Sequence, residues 1–205
     1  MKMKALTLLA TVLVLAGCAP SIYIARYNIE LSSVESPTDA SVEFGKTQTT
    51  NYDEASNRYC YSDEYIDIYW YVTAKEFQFE LKNKTRHPMK LNWDDMTYTN
   101  IKGRAGRVVH KQTKYVDITR TQAPITLPRE STISDVLVPA ESIVWEEKNG
   151  YTTQHLLPTV YKDEKDFKIH KGDYLGSKMG ILFPIEIEGK TNNYFFEFTV
   201  KSLIN

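Results

Sequence analysis

Apolar residues recur at every second position along most of this chain. That spacing belongs to a β-strand whose two faces meet different surroundings. In Phe77-Gln78-Phe79-Glu80-Leu81 the phenylalanines and the leucine share one face, and the polar residues share the other. Met89-Lys90-Leu91-Asn92-Trp93 repeats the alternation. Ile66, Ile68, Trp70 and Val72 alternate with Tyr65, Asp67, Tyr69 and Tyr71. That strand is apolar or aromatic on both sides, so it is expected to lie centrally or beneath a loop. Ile181, Phe183, Ile185 and Ile187 mark a further strand, and Tyr194–Leu203 a last one with Phe196, Phe198 and Val200 aligned.

Turn chemistry separates these runs. Lys102-Gly103-Arg104-Ala105-Gly106 predicts a turn between Met96–Ile101 and Arg107–His110, and Glu188-Gly189-Lys190-Thr191-Asn192-Asn193 a hairpin between the last two strands. Asn83-Lys84-Thr85-Arg86-His87-Pro88 reads as a loop; its Asn-x-Thr sequence fits a glycosylation acceptor but is taken here as a turn. Helical signals are weak. Asp163-Glu164-Lys165-Asp166 ahead of Phe167 predicts one or two turns within Pro158–His170, and Ser142–Glu147 reads as strand or short helix. Many short strands with regular turns predict an all-β fold, an antiparallel sandwich or barrel; uneven strand lengths and long connections such as Gln112–Thr132 favour the β-sandwich, with long loops and at most one or two short helices.

The stretch Phe77–Pro139 resembles the immunoglobulin-like domains of envelope proteins. The likeness lies in a strand ending at Asn83-Lys84-Thr85, an apolar strand, a Tyr98-bearing strand ending at a glycine turn, and then Pro124 through Pro139. It implies an immunoglobulin-like sandwich and assigns no functional residue. The Cys-Trp-Cys pattern of antibody domains is missing, and with two cysteines in the chain a disulfide framework is excluded. Cys60, set among Tyr59 and Tyr61, reads as a buried, inert thiol.

The first residues carry a different signal. Lys2 and Lys4 precede an apolar run from Ala5 to Ala16 that is broken only by Thr7 and Thr11. This is the layout of a secretory leader, too short for the ~20 residues a bilayer-spanning helix needs. Leu15-Ala16-Gly17-Cys18 resembles the lipobox of bacterial lipoproteins. The resemblance implies a diacylglycerol on the Cys18 thiol, cleavage just before it, and usually a further acyl chain such as palmitate on the new amino group. Each buried CH₂ adds about 0.8 kcal/mol, so two or three chains make attachment durable where one does not. In Gram-negative lipoproteins an Asp after the cysteine favours retention in the inner membrane. Residue 19 is alanine, which in a Gram-negative source favours the outer membrane. Residues 1–17 are thus expected to be a removed signal peptide, 18–21 a lipidated anchor and short tether, and 22–205 one domain. Loss of Lys2 and Lys4 makes a chain of formal net charge −1 slightly more acidic. That gives no global reason to expect nucleic acid or an anionic lipid surface as a partner.

Residues able to do chemistry do not converge in sequence. His87, His110, His155 and His170 are widely spaced, no metal-binding motif occurs, and no cofactor or metal is expected. His87 and His110 read as surface loop or strand-end residues. Asp94 and Asp95 are adjacent, which on a strand sends them to opposite faces, so one is expected to make a turn hydrogen bond. Asp53-Glu54 and Asp63-Glu64 lack the spacing of a calcium loop and read as solvated loops. There is no Gly-x-Ser-x-Gly elbow. The basic residues Lys82, Lys84, Arg86, His87 and Lys90, with Lys102, Arg104 and Arg107, would form one patch only if their two loops share an end of the fold.

Fourteen tyrosines are the better clue to binding. Tyr52, Tyr59, Tyr61, Tyr65, Tyr69 and Tyr71 crowd one region; the candidate binding surface is Tyr59, Tyr61, Tyr65, Tyr69 and Tyr71. Tyrosine offers rigid contact area with a polar tip. The same residues equally suit a sheet face through β-propensity. The sequence therefore predicts a membrane-anchored, non-catalytic accessory or assembly module that binds another envelope protein. A glycan- or peptide-binding lipoprotein, and a hydrolase built from distant residues, stand as alternatives.

Overall fold

A computed structural model describes residues 22–204, apart from 36, 40–41, 45–50 and 54–57. Cys18, the leader and tether, and Glu54 of the first acidic pair lie outside the described residues, as do the side chains of Tyr52 and Asp53. The described chain opens with β1 (Tyr23–Ile24) and β2 (Arg26–Glu35), then the short β3 (Pro37–Asp39), β4 (Val42–Phe44) and β5 (Asn51–Asp53). β6 (Arg58–Ser62), β7 (Ile66–Val72), β8 (Phe77–Asn83), β9 (Met89–Leu91), β10 (Thr97–Thr99) and β11 (Ala105–His110) follow. Next come β12 (Ile125–Leu127), β13 (Thr132–Pro139), the hairpin of β14 (Ile143–Glu146) and β15 (Gly150–Thr153), and β16 (Val160–Tyr161). The helix α1 (Glu164–His170) precedes β17 (Lys178–Ile187) and β18 (Lys190–Ile204).

All strand pairs are antiparallel, and the all-β class expected from the alternation is what the chain adopts. Twelve strands form one sheet in the order β12-β9-β17-β10-β11-β13-β8-β7-β6-β5, with β18 between β17 and β2. β11 is the corner: Ala105–Arg107 pair with β10, whereas Val108–His110 pair with β13. A twisted sheet bent at such a corner brings its own two halves face to face. The result is nearly barrel-shaped. It stays open along one seam, where β2 approaches β6 and β7 without strand pairing among the described residues.

The core fills the space between the halves. Ile66, Ile68, Trp70 and Val72 are buried as one face of β7, and Tyr194, Phe196, Phe198 and Val200 as one face of β18. The Trp70 ring lies 5.1, 5.4 and 6.0 Å from the rings of Phe196, Phe198 and Phe183, its neighbours from the opposite half. Pro184 sits inside β17 at no cost to the ladder on that edge. β17 pairs with β10 through Leu182 and with β9 from Ile185, so Pro184 falls between them, where no N–H is called for.

The turns are tighter than the sequence suggests. Glu188 and Gly189 alone join β17 to β18, with φ of 49° and 76°. Two positive φ values match the right-handed strand twist, and residues 190–193 are freed for the strand. The Gln112–Thr132 connection is not wholly irregular, since it contributes β12 and a 3-10 turn at Tyr115–Asp117. Together with the β14–β15 hairpin, that turn covers a small second core of Val109, Val138 and Ile143 on the outside of β11 and β13. Ser142–Glu147 divides into the end of a 3-10 turn and strand β14. α1 is the one helix expected: Asp163 caps it by accepting from the Asp166 amide at 2.8 Å, and Phe167 packs on Tyr23 and Tyr161.

Candidate functional site

The tyrosine cluster does not form one face. Strand pairing puts Tyr59 opposite Trp70 and Tyr61 opposite Ile68, and directly opposed residues share a face. Both tyrosines therefore point inward: Tyr61 is 3% exposed, and Tyr59 and Tyr65 are partly buried against the core. The expected five-residue surface reduces to Tyr69 and Tyr71, which face outward on β7 with Asp67. The alternation visible in the sequence could have separated these residues once the pairing of β6 with β7 was known. Cys60, opposite Tyr69, is also on the outer face and only half buried, which corrects the buried-thiol expectation.

Tyr71 stands between two hollows. The larger, about 970 Å³, occupies the open seam and is bordered by Arg26–Glu30, Tyr59, Tyr71–Lys75, His155, Thr159 and the end of β18. Five consecutive residues of β2 border it. Side chains alternate along a strand, so the backbone edge as well as one face must meet the cleft. β2 pairs with β18 along its other edge, and no other strand pairs with it among the described residues. The Tyr27 hydroxyl donates to the Pro158 carbonyl at 2.7 Å; burial and the neighbouring Tyr161 hydroxyl push its pKa up, so it stays a neutral phenol. The smaller hollow, about 280 Å³, lies on the outer sheet face among Tyr69, Tyr71, Arg58, Glu80 and Gln112.

The remaining candidates resolve into structural roles. Asp63 is not a solvated loop residue. Its carboxylate accepts from the Tyr194 hydroxyl at 2.9 Å, the Tyr61 hydroxyl at 3.1 Å and the amides of Tyr65 and Ile66 at 2.8 Å each. Asp94 lies in a 3-10 turn, Trp93–Asp95, where it meets the Arg107 guanidinium and accepts from the Gln122 amide at 3.1 Å. Burial pushes its pKa up, but Arg107 and Gln122 together outweigh burial and hold it below the ordinary carboxylate value. His110 is no surface residue. Its side chain is 12% exposed, stacked 4.4 Å from the Trp93 ring, with Nδ1 3.1 Å from Asp135. This His–Asp pair is largely buried, and the sequence separation of its members hid it. Among the described residues no hydroxyl or thiol is hydrogen-bonded to His110, and no three His, Cys, Asp or Glu side chains are grouped to hold a metal.

The two basic loops lie at opposite ends. Thr99, at the 100–104 turn, pairs with Gly180, and Met89, after the other loop, pairs with Ile187. The two partners are seven residue steps apart along β17, about 23 Å. Lys84, His87, Lys90 and Arg107 each contact a carboxylate, on Asp67, Glu188, Glu186 and Asp94. The single basic patch is thereby ruled out. Asn83 is fully buried, and its amide donates to the carbonyls of His87 and Pro128 at 2.8 and 3.1 Å, so Asn83-Lys84-Thr85 is a turn and not a sugar acceptor.

Protein-family models, curated proteins and solved structures contain no match to this chain.

Proposed function

We propose that this chain is a lipid-anchored envelope protein whose β domain binds an extended segment of another envelope protein in the seam cleft. Cys18 carries the lipid, the outer membrane is the destination, and the domain performs no catalysis. We read the fold as an immunoglobulin-like sandwich, a reading supported by two antiparallel halves that face each other across the corner at β11.

The observation that carries this reading is the cleft along Arg26–Glu30. A bare strand edge offers a ladder of backbone donors and acceptors to an incoming strand, while flanking pockets select its side chains. Tyr71 and Tyr59 supply aromatic contact beside that edge. A photo-crosslinking residue at Asn28 or Tyr71, introduced into the acylated protein in native membranes, should trap one reproducible partner that Lys190 at the far end of β18 does not. Equal adducts at all three positions, or none, would refute cleft binding. A glycan ligand is the second reading, favoured by the outer hollow, where the Tyr69 and Tyr71 rings stand beside Arg58, Glu80 and Gln112. Oligosaccharide that protects Tyr69, but not Tyr27 of the seam cleft, from modification would support it.

A further inference from the structure

Four apolar side chains stand in solvent at one end of the molecule. Ile22, Ile24, Val160 and Ile204 are 62, 61, 59 and 54% exposed. Strand register draws them together. Ile24 lies directly opposite Val160, and Ile204 directly opposite Arg26, which is two residues beyond Ile24 on the same side of an extended chain. Ile22 lies two residues before Ile24. The inward-facing neighbours Tyr23, Ala25 and Tyr161 pack with Phe167, so a supported layer underlies the patch. Singly exposed apolar residues are ordinary, whereas a group of four gathered by strand pairing marks a contact surface.

We propose that this patch rests on the bilayer that holds the Cys18 lipid. The proposal builds on the acylated-lipoprotein reading above and adds a fixed orientation. Three residues separate Cys18 from Ile22. At no more than ~3.6 Å per residue, the two Cα atoms lie within about 14 Å. The first exposed isoleucines are thus confined to the membrane interface. Setting the patch against the acyl boundary removes four branched apolar side chains from water and brings Arg26 among headgroup phosphates. β18, fifteen residues long, leads away from the patch. Its length of up to about 46 Å carries the Glu188-Gly189 turn to the aqueous side. The seam cleft, whose rim includes Arg26 and Ile204, then opens close above the lipid.

The test uses the full acylated protein in vesicles of phosphatidylethanolamine and phosphatidylglycerol. An environment-sensitive fluorophore is placed by Ile24→Cys, Val160→Cys or Lys190→Cys in a Cys60→Ser background. Flotation with the vesicles is scored first. Iodide quenching at positions 24 and 160 should then fall several-fold relative to the same fluorophore on free N-acetylcysteine, with a blue shift in emission, while position 190 stays fully quenchable. A label at Ile204→Cys should regain its quenching when Ile24→Asp and Val160→Asp are added. Protein that floats with all labels equally quenched keeps the anchor and overturns the orientation. Failure to float overturns the lipid reading and the orientation with it. Shielding that follows protein density at fixed lipid would assign the patch to a second copy and overturn the proposal.

Discussion

At the scale of single residues, two side chains carry much of the fold. Trp70 is fully buried, and no described residue accepts from its indole N–H. It acts through packing alone, at the point where the two halves meet. Trp70→Ala is expected to cost about 4 kcal/mol, mostly cavity and lost transfer energy. Trp70→Phe should cost only about 1 kcal/mol, because it also removes a polar group buried without a partner. Equal losses for the two, measured by urea unfolding, would contradict that role. Asp63 works through hydrogen bonds. Asp63→Ala strands the buried Tyr194 hydroxyl and two amides and should cost about 3 kcal/mol. Combined with Tyr194→Phe, the losses should be less than additive by at least about 0.5 kcal/mol. Burial and the Asp63 carboxylate already push the Tyr194 pKa up, which keeps the phenol a donor. Nothing in Tyr61-Ser62-Asp63-Glu64 announced this, since Tyr194 lies 131 residues away.

At the scale of elements, alternation was the legible part. It named the buried faces of β7, β8, β17 and β18 correctly, because a strand with one wet and one dry face can be written in few ways. Register and corner were not legible, because they depend on which distant strand comes alongside. That is why Tyr61 reads like Tyr71 in the sequence and lies on the opposite face. Gly180 shows the same limit. The Phe195 ring of β18 lies across it, 2.3 Å from where a Cβ would be. Gly180→Ala should displace that ring and cost about 1 kcal/mol or more, and adding Phe195→Leu should recover part of the loss. Full additivity would show that the ring is not the obstacle. The 3-10 turn at Trp93–Asp95 gives a pH signature. The depressed Asp94 pKa means that the ion pair with Arg107 stabilises the fold above the unfolded carboxylate value, near pH ~4, and is lost as pH falls through the folded value. Asp94→Asn should be less stable by about 1 kcal/mol at pH 7 and should converge with the parent protein as pH falls through the lowered value of the folded carboxylate. Parallel stability curves across that range would contradict the assignment.

At the scale of the whole molecule, one sheet folded on itself leaves a seam with no strand pairing across it among the described residues. The cleft could not be read from the sequence, because its walls come from β2, β7, the 155–159 segment and the end of β18. The proposed anchor is the reverse case: Leu15-Ala16-Gly17-Cys18 lies outside the described residues, so the lipobox resemblance rests on the sequence alone. Cleft, apolar patch and far-end turn acquire a common orientation only if that tail exists. Intact-mass analysis of the protein purified from its native membranes tests this most directly. The expected mass is that of a chain beginning at Cys18 with a diacylglycerol on the thiol and, where the amino group is also modified, one further acyl chain. A chain still carrying Met1, or one beginning with an unmodified cysteine, would contradict it.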